Sequence, residues 1–125
     1  PPSQMLLAKF STTDNAARAE ITVSSFPGDV GGLLANVNRW RQQVKLPAID
    51  ETGLAQTVSQ LEVSVGKGSL VDLNGADAKT GQTARLVGVA VPHAGQTWFF
   101  KMLGDEQVVV REKDTFLKFV QSVKY

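Results

Sequence analysis

The sequence predicts an α+β domain in which two amphipathic helices cover the faces of an antiparallel sheet of about six strands. Two observations lead to this fold class. Stretches of alternating apolar and polar residues follow one another with only short turns between them, which favours antiparallel pairing. Two longer stretches, one in the N-terminal half and one at the end of the chain, repeat apolar residues at helical spacing instead.

The size and composition of the chain fit a single domain over residues 1–125. The 125 residues are 42% hydrophobic and include no cysteine, so a core can form without disulfides. Thirteen basic and twelve acidic residues give a net charge of +1, which argues against a nucleic-acid-binding protein. No apolar run is long enough to cross a membrane. Because the chain begins Pro1-Pro2-Ser3, we expect it to be trimmed from a longer precursor.

The first two strands are predicted at Met5–Phe10 and Ala19–Phe26. The second of them alternates apolar and polar residues and contains β-branched side chains, which is typical of a half-buried strand. The polar stretch Ser11–Ala17 is expected to link the two strands, so that they pair antiparallel.

The first helix follows the Gly28–Gly32 turn, in which Asp29 is a suitable N-cap. The Leu46–Pro47 dipeptide ends this helix. A short second helix is predicted within Asp50–Gln60, with Asp50 or Thr52 as its N-cap. The apolar residues of the first helix recur at helical spacing and predict one stripe that faces the sheet: Leu33, Val37, Trp40 and Val44.

Four strands and a long helix are predicted for the second half of the chain. A turn is expected at Gly66–Gly68 and a loop at Asn74–Gln82. The predicted strands are Leu61–Val65, Ser69–Leu73, Thr83–Val91 and Thr97–Leu103. Asp105 is expected to cap the final helix, whose apolar face consists of Val109, Phe116, Phe119, Val120 and Val123.

The predicted binding site is a polar group on the first helix: Asn36, Asn38, Arg39 and Arg41. The apolar stripe takes the positions between them, so these four side chains are expected to point sideways or outward. Asparagine has a modest helix propensity, and two of them within one turn need an explanation. Either they hydrogen-bond neighbouring loops and fix the helix on the sheet, or they form a polar recognition surface together with the arginines.

The sequence shows no catalytic or metal-binding constellation, and we predict no cofactor. His93 is the single histidine, lies in a predicted exposed turn and cannot build a zinc site alone. The Gly28–Gly32 turn lacks a following Lys-Ser/Thr pair, so a tight strand-to-helix turn explains it better than a phosphate cradle. The carboxylates are scattered and do not suggest glycosidase chemistry.

Two further surfaces are predicted, one aromatic and one basic. Trp98 and Phe100 share one face of a predicted strand, and they belong to the core if a helix covers that face or form an aromatic patch if it is open. The last helix has a basic side, which is predicted to be solvated: Arg111, Lys113, Lys118 and Lys124.

Two stretches of the chain resemble a family of uncharacterised bacterial proteins of planctomycete and verrucomicrobia type. Phe26 to Ile49 (FPGDVGGLLANVNRWRQQVKLPAI) resembles a segment of that family, and Thr97 to Val123 is similar to its terminal strand and helix. Many of its members are exported proteins or lipoproteins. The resemblance implies a periplasmic or cell-envelope location, an exported precursor and a lipid anchor upstream of this chain.

The end of the chain is also similar in pattern to the PsbP-like and Mog-type fold. In that fold a strand with adjacent aromatic residues runs into a long helix with a Phe-x-x-Phe-x-x-Ser pattern, here Phe116, Phe119 and Ser122. This resemblance implies an α-β-α sandwich and no catalytic activity. PsbP-like domains are assembly or interaction modules, and a shared fold by itself transfers no function.

These observations lead to one expected function and two alternatives. We expect a monomeric, non-enzymatic binding domain of the bacterial cell envelope, with an unknown protein or small ligand as partner. One alternative is a small-molecule-binding domain or unrecognised hydrolase with a pocket between the sheet and the first helix. The other is a purely structural module within a larger protein.

Overall fold

A computed structural model describes residues 5–14, 17–27, 32–77 and 80–123 of the chain. In these ranges it has helices α1 (Gly32–Gln43), α2 (Glu51–Thr57) and α3 (Glu106–Ser122). The strands are β1 (Met5–Asp14), β2 (Ala17–Pro27), β3 (Ser59–Val63), β4 (Gly66–Ala76), β5 (Thr83–His93) and β6 (Gln96–Asp105).

The described strands form one six-stranded sheet in the order β1-β2-β6-β5-β4-β3, and every neighbouring pair is antiparallel. This confirms the predicted α+β class and the antiparallel pairing. Neighbours in the chain are also neighbours in the sheet except at one place, where β2 lies beside β6 with Val23 opposite Phe100. Between β2 and β3 the chain forms α1 and α2 and then returns at the opposite edge of the sheet.

β5 lies inside the sheet and is buried on both of its faces. Val87, Val89 and Val91 belong to the core on one side, whereas Leu86 and Ala90 belong to the core on the other. Successive side chains of a strand point to opposite faces of the sheet. Because a helical layer covers each face, the residues on both faces are apolar, and the strand is a nearly continuous apolar run.

The core beneath α1 is built around Trp40. Its ring meets the ring of Phe99 edge-on, with 6.1 Å between the ring centroids. A Cβ atom at Gly88 of β5 would overlap three ring carbons of Trp40, so the indole occupies the space that a larger residue would fill. The predicted stripe on α1 is confirmed for Val37, Trp40 and Val44, which are buried, whereas Leu33 is half-buried against the same core.

The core on the opposite face lies beneath α3. The predicted cap is confirmed, because the Asp105 carboxylate accepts a hydrogen bond of 3.0 Å from the backbone N–H of Gln107. Phe119 differs from the prediction: it is 38% exposed, although its ring contacts Phe100 edge-on at 6.2 Å between centroids. The buried residues of α3 are Val108, Val109, Phe116 and Val120.

The end of α3 is fastened to the edge strand β3. The Gln121 side-chain amide donates to the carbonyl of Glu62 at 3.1 Å. The Ser64 hydroxyl donates to the carbonyl of Val123 at 2.6 Å. These two contacts join residues that are far apart in sequence, so they hold the last turn of the helix against the β3–β4 hairpin.

Several strand boundaries differ from the predictions because a partner strand extends each one. The predicted polar link Ser11–Ala17 is wrong over most of its length, since β1 continues to Asp14 and β2 begins at Ala17. The turn predicted at Gly66–Gly68 is also wrong. The β3–β4 turn comprises residues 64–65, and both glycines pair within the β3–β4 ladder.

The loop predicted at Asn74–Gln82 is shorter in the structure. β4 continues to Ala76 because β5 pairs with it up to that residue. The hydrogen bond of 2.9 Å from the backbone N–H of Ala76 to the carbonyl of Val44 also holds this end of β4. β5 likewise runs past Pro92 to His93, paired with β6. Backbone pairing across the sheet therefore overrides the local turn preference of glycine and proline.

We expect Gly88→Ala to lower the free energy of unfolding by about 1–3 kcal/mol, because the added methyl group overpacks the core against Trp40. Urea denaturation of the purified variant measures this. In a Trp40→Ala background, the same substitution should cost clearly less, since the clashing ring is gone. Equal costs in both backgrounds would show that Trp40 does not occupy this position.

Candidate functional site

The four residues of the predicted binding site all lie on α1, which packs over the sheet through Trp40. The helix ends where Lys45 adopts a left-handed backbone conformation with φ of 59°. There the backbone N–H of Leu46 donates to the carbonyl of Arg41 at 2.8 Å. This C-terminal arrangement turns the chain back alongside the helix.

Asn38 and Arg41 hold the segment that follows the helix. The Asn38 amide donates to the carbonyl of Ile49 at 3.0 Å and accepts from the backbone N–H of Ile49 at 2.8 Å. Arg41 Nε donates to the carbonyl of Pro47 at 2.6 Å. Of the two explanations that the sequence left open, the geometry assigns the loop-fixing one to these two side chains.

Asn36 and Arg39 make different contacts. Asn36 is only 5% exposed, and its Oδ1 accepts a hydrogen bond of 3.3 Å from Arg39 Nη2. The Asn36 Nδ2 is buried without a hydrogen-bond partner among the described residues. Arg39 is exposed. A ligand could reach the Arg39 guanidinium directly, whereas the Asn36 amide lies beneath the surface.

α2 is placed beside α1 by the loop that Asn38 and Arg41 hold. It is shorter than predicted, because the backbone is already extended at Val58 and β3 begins at Ser59. Of the two predicted caps, Asp50 is the N-cap, and its Oδ1 accepts a hydrogen bond of 2.9 Å from the backbone N–H of Gly53. The two helices therefore lie next to each other, with residues 32–35 of α1 half-buried and Glu51 of α2 exposed.

An open cleft of about 570 Å³ lies between the first turns of α1 and α2. One of the four predicted site residues, Asn38, belongs to its lining. The lining residues are Gly32, Leu33, Leu34, Ala35, Asn38, Glu51 and Leu54. The pocket suggested between the sheet and α1 does not match this position, because Trp40 fills the space against Gly88.

A cluster of three charged side chains lies on the other face of the sheet, beside α3. The Asp72 carboxylate accepts two hydrogen bonds of 2.7 Å from the Arg85 guanidinium, one at each oxygen. Lys113 Nζ donates to Asp72 Oδ2 at 2.7 Å as well. The prediction of a solvated basic face on α3 is therefore wrong for Lys113, which reaches down to β4.

The charges of this cluster stabilise each other. Burial raises the pKa of Asp72, but the hydrogen bonds and positive charges of Arg85 and Lys113 outweigh it, so that this pKa lies below its ordinary value. The hydrogen bond to Asp72 raises the pKa of the Arg85 guanidinium. A carboxylate held in its charged form by two cations is a poor general acid or base near neutral pH.

The remaining motifs that the sequence analysis named either pack within the fold or lie outside the described residues. Phe99 packs in the core beneath α1, whereas Phe100 and the half-buried Trp98 pack in the core beneath α3, so the core alternative for these aromatics is confirmed. His93 is half-buried at the end of β5 and is not in an exposed turn. The suggested phosphate cradle lies outside the described residues, apart from Gly32.

Among the described residues, no three or more His, Cys, Asp and Glu side chains come together in a way that could hold a metal ion. None of the described helices combines the length and the apolar character that crossing a membrane requires.

Comparison with known proteins shows the fold. No model of a known protein family matches the chain, and no curated protein matches it. The chain is similar in structure to PA94 from Pseudomonas aeruginosa, a protein of unknown function described as a candidate regulator. The match covers 98% of this chain and 84% of that chain, with a TM-score of 0.62 and 11% sequence identity. A likeness at this identity indicates a shared fold and transfers no activity.

Sequence reasoning missed two parts of this arrangement. Asp72, Arg85 and Lys113 lie on three separate elements, and only the β4–β5 pairing and the position of α3 bring them together. The cleft was missed because Leu34 lies outside the buried stripe, and such a position carries no signal by itself. The available signal was a second leucine beside the stripe, next to a short helix with an acidic start.

We expect Asp72→Asn to lower the free energy of unfolding at pH 7 by about 1–3 kcal/mol, because Arg85 and Lys113 lose their charged acceptor. Since the pKa of Asp72 is lowered in the folded state, its contribution is fully present above about pH 4–5. It is lost as the pH falls below the unfolded pKa toward the folded one. Denaturation between pH 7 and pH 2 should show the two proteins converging in acid, and a constant difference would contradict the charge-based account.

Asn38→Ala and Asn36→Leu form a matched pair on one helix. We expect Asn38→Ala to destabilise by about 1–3 kcal/mol, because the backbone of Ile49 loses both partners. Asn36→Leu should be neutral or stabilising by about 1 kcal/mol, because it removes a buried N–H without a partner. Chemical denaturation measures both, and a larger loss for Asn36→Leu would show that its amide has an essential acceptor.

Proposed function

We propose that this chain is a non-enzymatic binding or protein-interaction domain and that the cleft between α1 and α2 is its recognition site. The cleft carries this proposal: it is a concave surface of about 570 Å³, and half-buried apolar side chains line it. It also lies on the helix whose polar residues the sequence singled out, and it includes Asn38.

The non-catalytic part of the proposal is supported by how the described polar groups are used. The strongest charged cluster, around Asp72, satisfies its own hydrogen bonds. Asn38 and Arg41 are bonded to the backbone of the loop between the helices. Neither arrangement offers a nucleophile beside a base, or a pair of carboxylates with separated pKa values.

The cellular setting is part of the same proposal. The resemblance of Phe26 to Ile49 to a family of exported bacterial proteins supports an exported domain of the cell envelope, with a lipid anchor upstream, and we expect it to act as a monomer. The layered arrangement of α1, the sheet and α3 supports a PsbP-like or Mog-type α-β-α sandwich. Subcellular fractionation of cells expressing the natural gene checks the location.

Blocking the cleft tests the binding site. Ala35 lines the cleft, whereas Ala55 is an exposed residue of α2 outside the lining, so Ala35→Trp and Ala55→Trp form a matched pair. Each variant and the wild type, immobilised on beads, are incubated with envelope extract of the source organism, and captured proteins are identified by mass spectrometry.

We expect the Ala35→Trp variant to lose the proteins that the wild type captures, while Ala55→Trp retains them. Thermal denaturation of each variant shows beforehand that it is folded. If a folded Ala35→Trp variant captures the same proteins in the same amounts as the wild type, the cleft is not the recognition site.

A further inference from the structure

We infer that the α1–α2 cleft binds a segment of another protein that presents a leucine-sized apolar side chain beside a lysine or arginine. This inference rests on the proposed binding function and adds the chemistry of the partner. It follows from three properties of the described lining residues: their leucines, the charge of Glu51 and the bonded state of the Asn38 amide.

Three half-buried leucines, Leu33, Leu34 and Leu54, supply apolar surface in the lining of the cleft. Leu33 and Leu54 pack partly against the core beneath α1, whereas Leu34 is half-buried outside that core. Each of them leaves apolar surface in contact with water. Covering this surface with an aliphatic side chain of a partner is favourable in proportion to the area removed from water.

The charge of the cleft is negative. Among the described lining residues, Glu51 carries the one formal charge, and it is exposed on the first turn of α2. The next residue toward the N-terminus, Asp50, adds a second carboxylate at the same end of the helix. A cationic side chain next to the apolar one complements this rim, and an acidic partner or anionic lipid headgroups are disfavoured.

A protein segment suits the cleft better than a small molecule. Small-molecule sites enclose most of their ligand and orient it through a few converging polar groups. This cleft is open along one side, and the Asn38 amide in its lining is already bonded to both backbone groups of Ile49. An extended or helical segment needs no such enclosure, because it buries one or two side chains and leaves the rest in water.

Peptide titration followed by NMR tests this chemistry. The probe is an acetylated and amidated octapeptide of alternating leucine and lysine, and the comparison peptides replace all lysines by glutamate or all leucines by serine. Backbone amide shifts of the 15N-labelled protein report where each peptide binds. The leucine–lysine peptide should shift the amides of Leu34, Ala35 and Leu54, and the two comparison peptides should not.

Variants with matched controls separate the contribution of the Glu51 charge from that of the apolar surface of Leu34. Glu51→Gln should weaken binding of the leucine–lysine peptide by about two- to fivefold, the scale of an exposed ion pair, and Glu62→Gln outside the cleft should not. Leu34→Ser should weaken it by about fivefold or more, whereas Val110→Ser, at an exposed position of α3, should have no effect.

The outcomes distinguish this inference from the proposed function. If the leucine–glutamate peptide shifts the cleft residues as strongly as the leucine–lysine peptide does, the cleft binds but the inferred charge is wrong. Equal affinities of the Glu51→Gln and Glu62→Gln variants, or an absence of shifts at the cleft, also overturn the inference. The proposed function fails separately, when blocking the cleft by Ala35→Trp leaves protein capture unchanged.

Discussion

Trp40 of α1 packs against the bare backbone of β5 at Gly88, and the position of the whole α1 layer depends on this contact. Because glycine has no side chain, the indole approaches the sheet closely and meets Phe99 of β6 edge-on. The α1 helix is thereby held over the middle of the sheet, with Val37 and Val44 buried beside the ring. Its N-terminal turn lines the cleft, and its polar residues Asn38 and Arg41 bond the segment that follows the helix.

Asn38 and Arg41, on the polar side of α1, hold the segment that follows the helix in place through hydrogen bonds. Asn38 pairs with both backbone groups of Ile49, and Arg41 holds the carbonyl of Pro47. α2 has no fully buried residue and packs Leu54 only partly against the core beneath α1, so these bonds and the Asp50 cap contribute to its position. The cleft is the gap left between the two helices, and the proposed recognition site is thus a consequence of how α1 is anchored.

The opposite face of the sheet is organised around a different kind of contact. α3 contributes a broad apolar face, and Lys113 reaches from it to the Asp72–Arg85 pair on β4 and β5. These charges satisfy one another, so this face has a structural role. The two faces therefore differ in packing: the face beneath α3 carries charges that pair with one another, and the α1 side keeps half-buried leucines and the exposed carboxylate of Glu51.

The sequence by itself determined the fold class, the approximate positions of the helices and strands and much of the buried face of the two long helices, including Trp40 and Phe116 but not the exposed Phe119. These features follow from the periodicity of apolar residues, which is a local property of the chain. It also singled out Asn38 and Arg41, although not which of two roles they have. The full extent of β4 and β5, the pairing of β2 with β6, the Asp72 cluster and the α1–α2 cleft were decided only by the tertiary structure. Each of these depends on groups distant in sequence, whose proximity arises from strand pairing and helix docking and does not follow from the local periodicity of the chain.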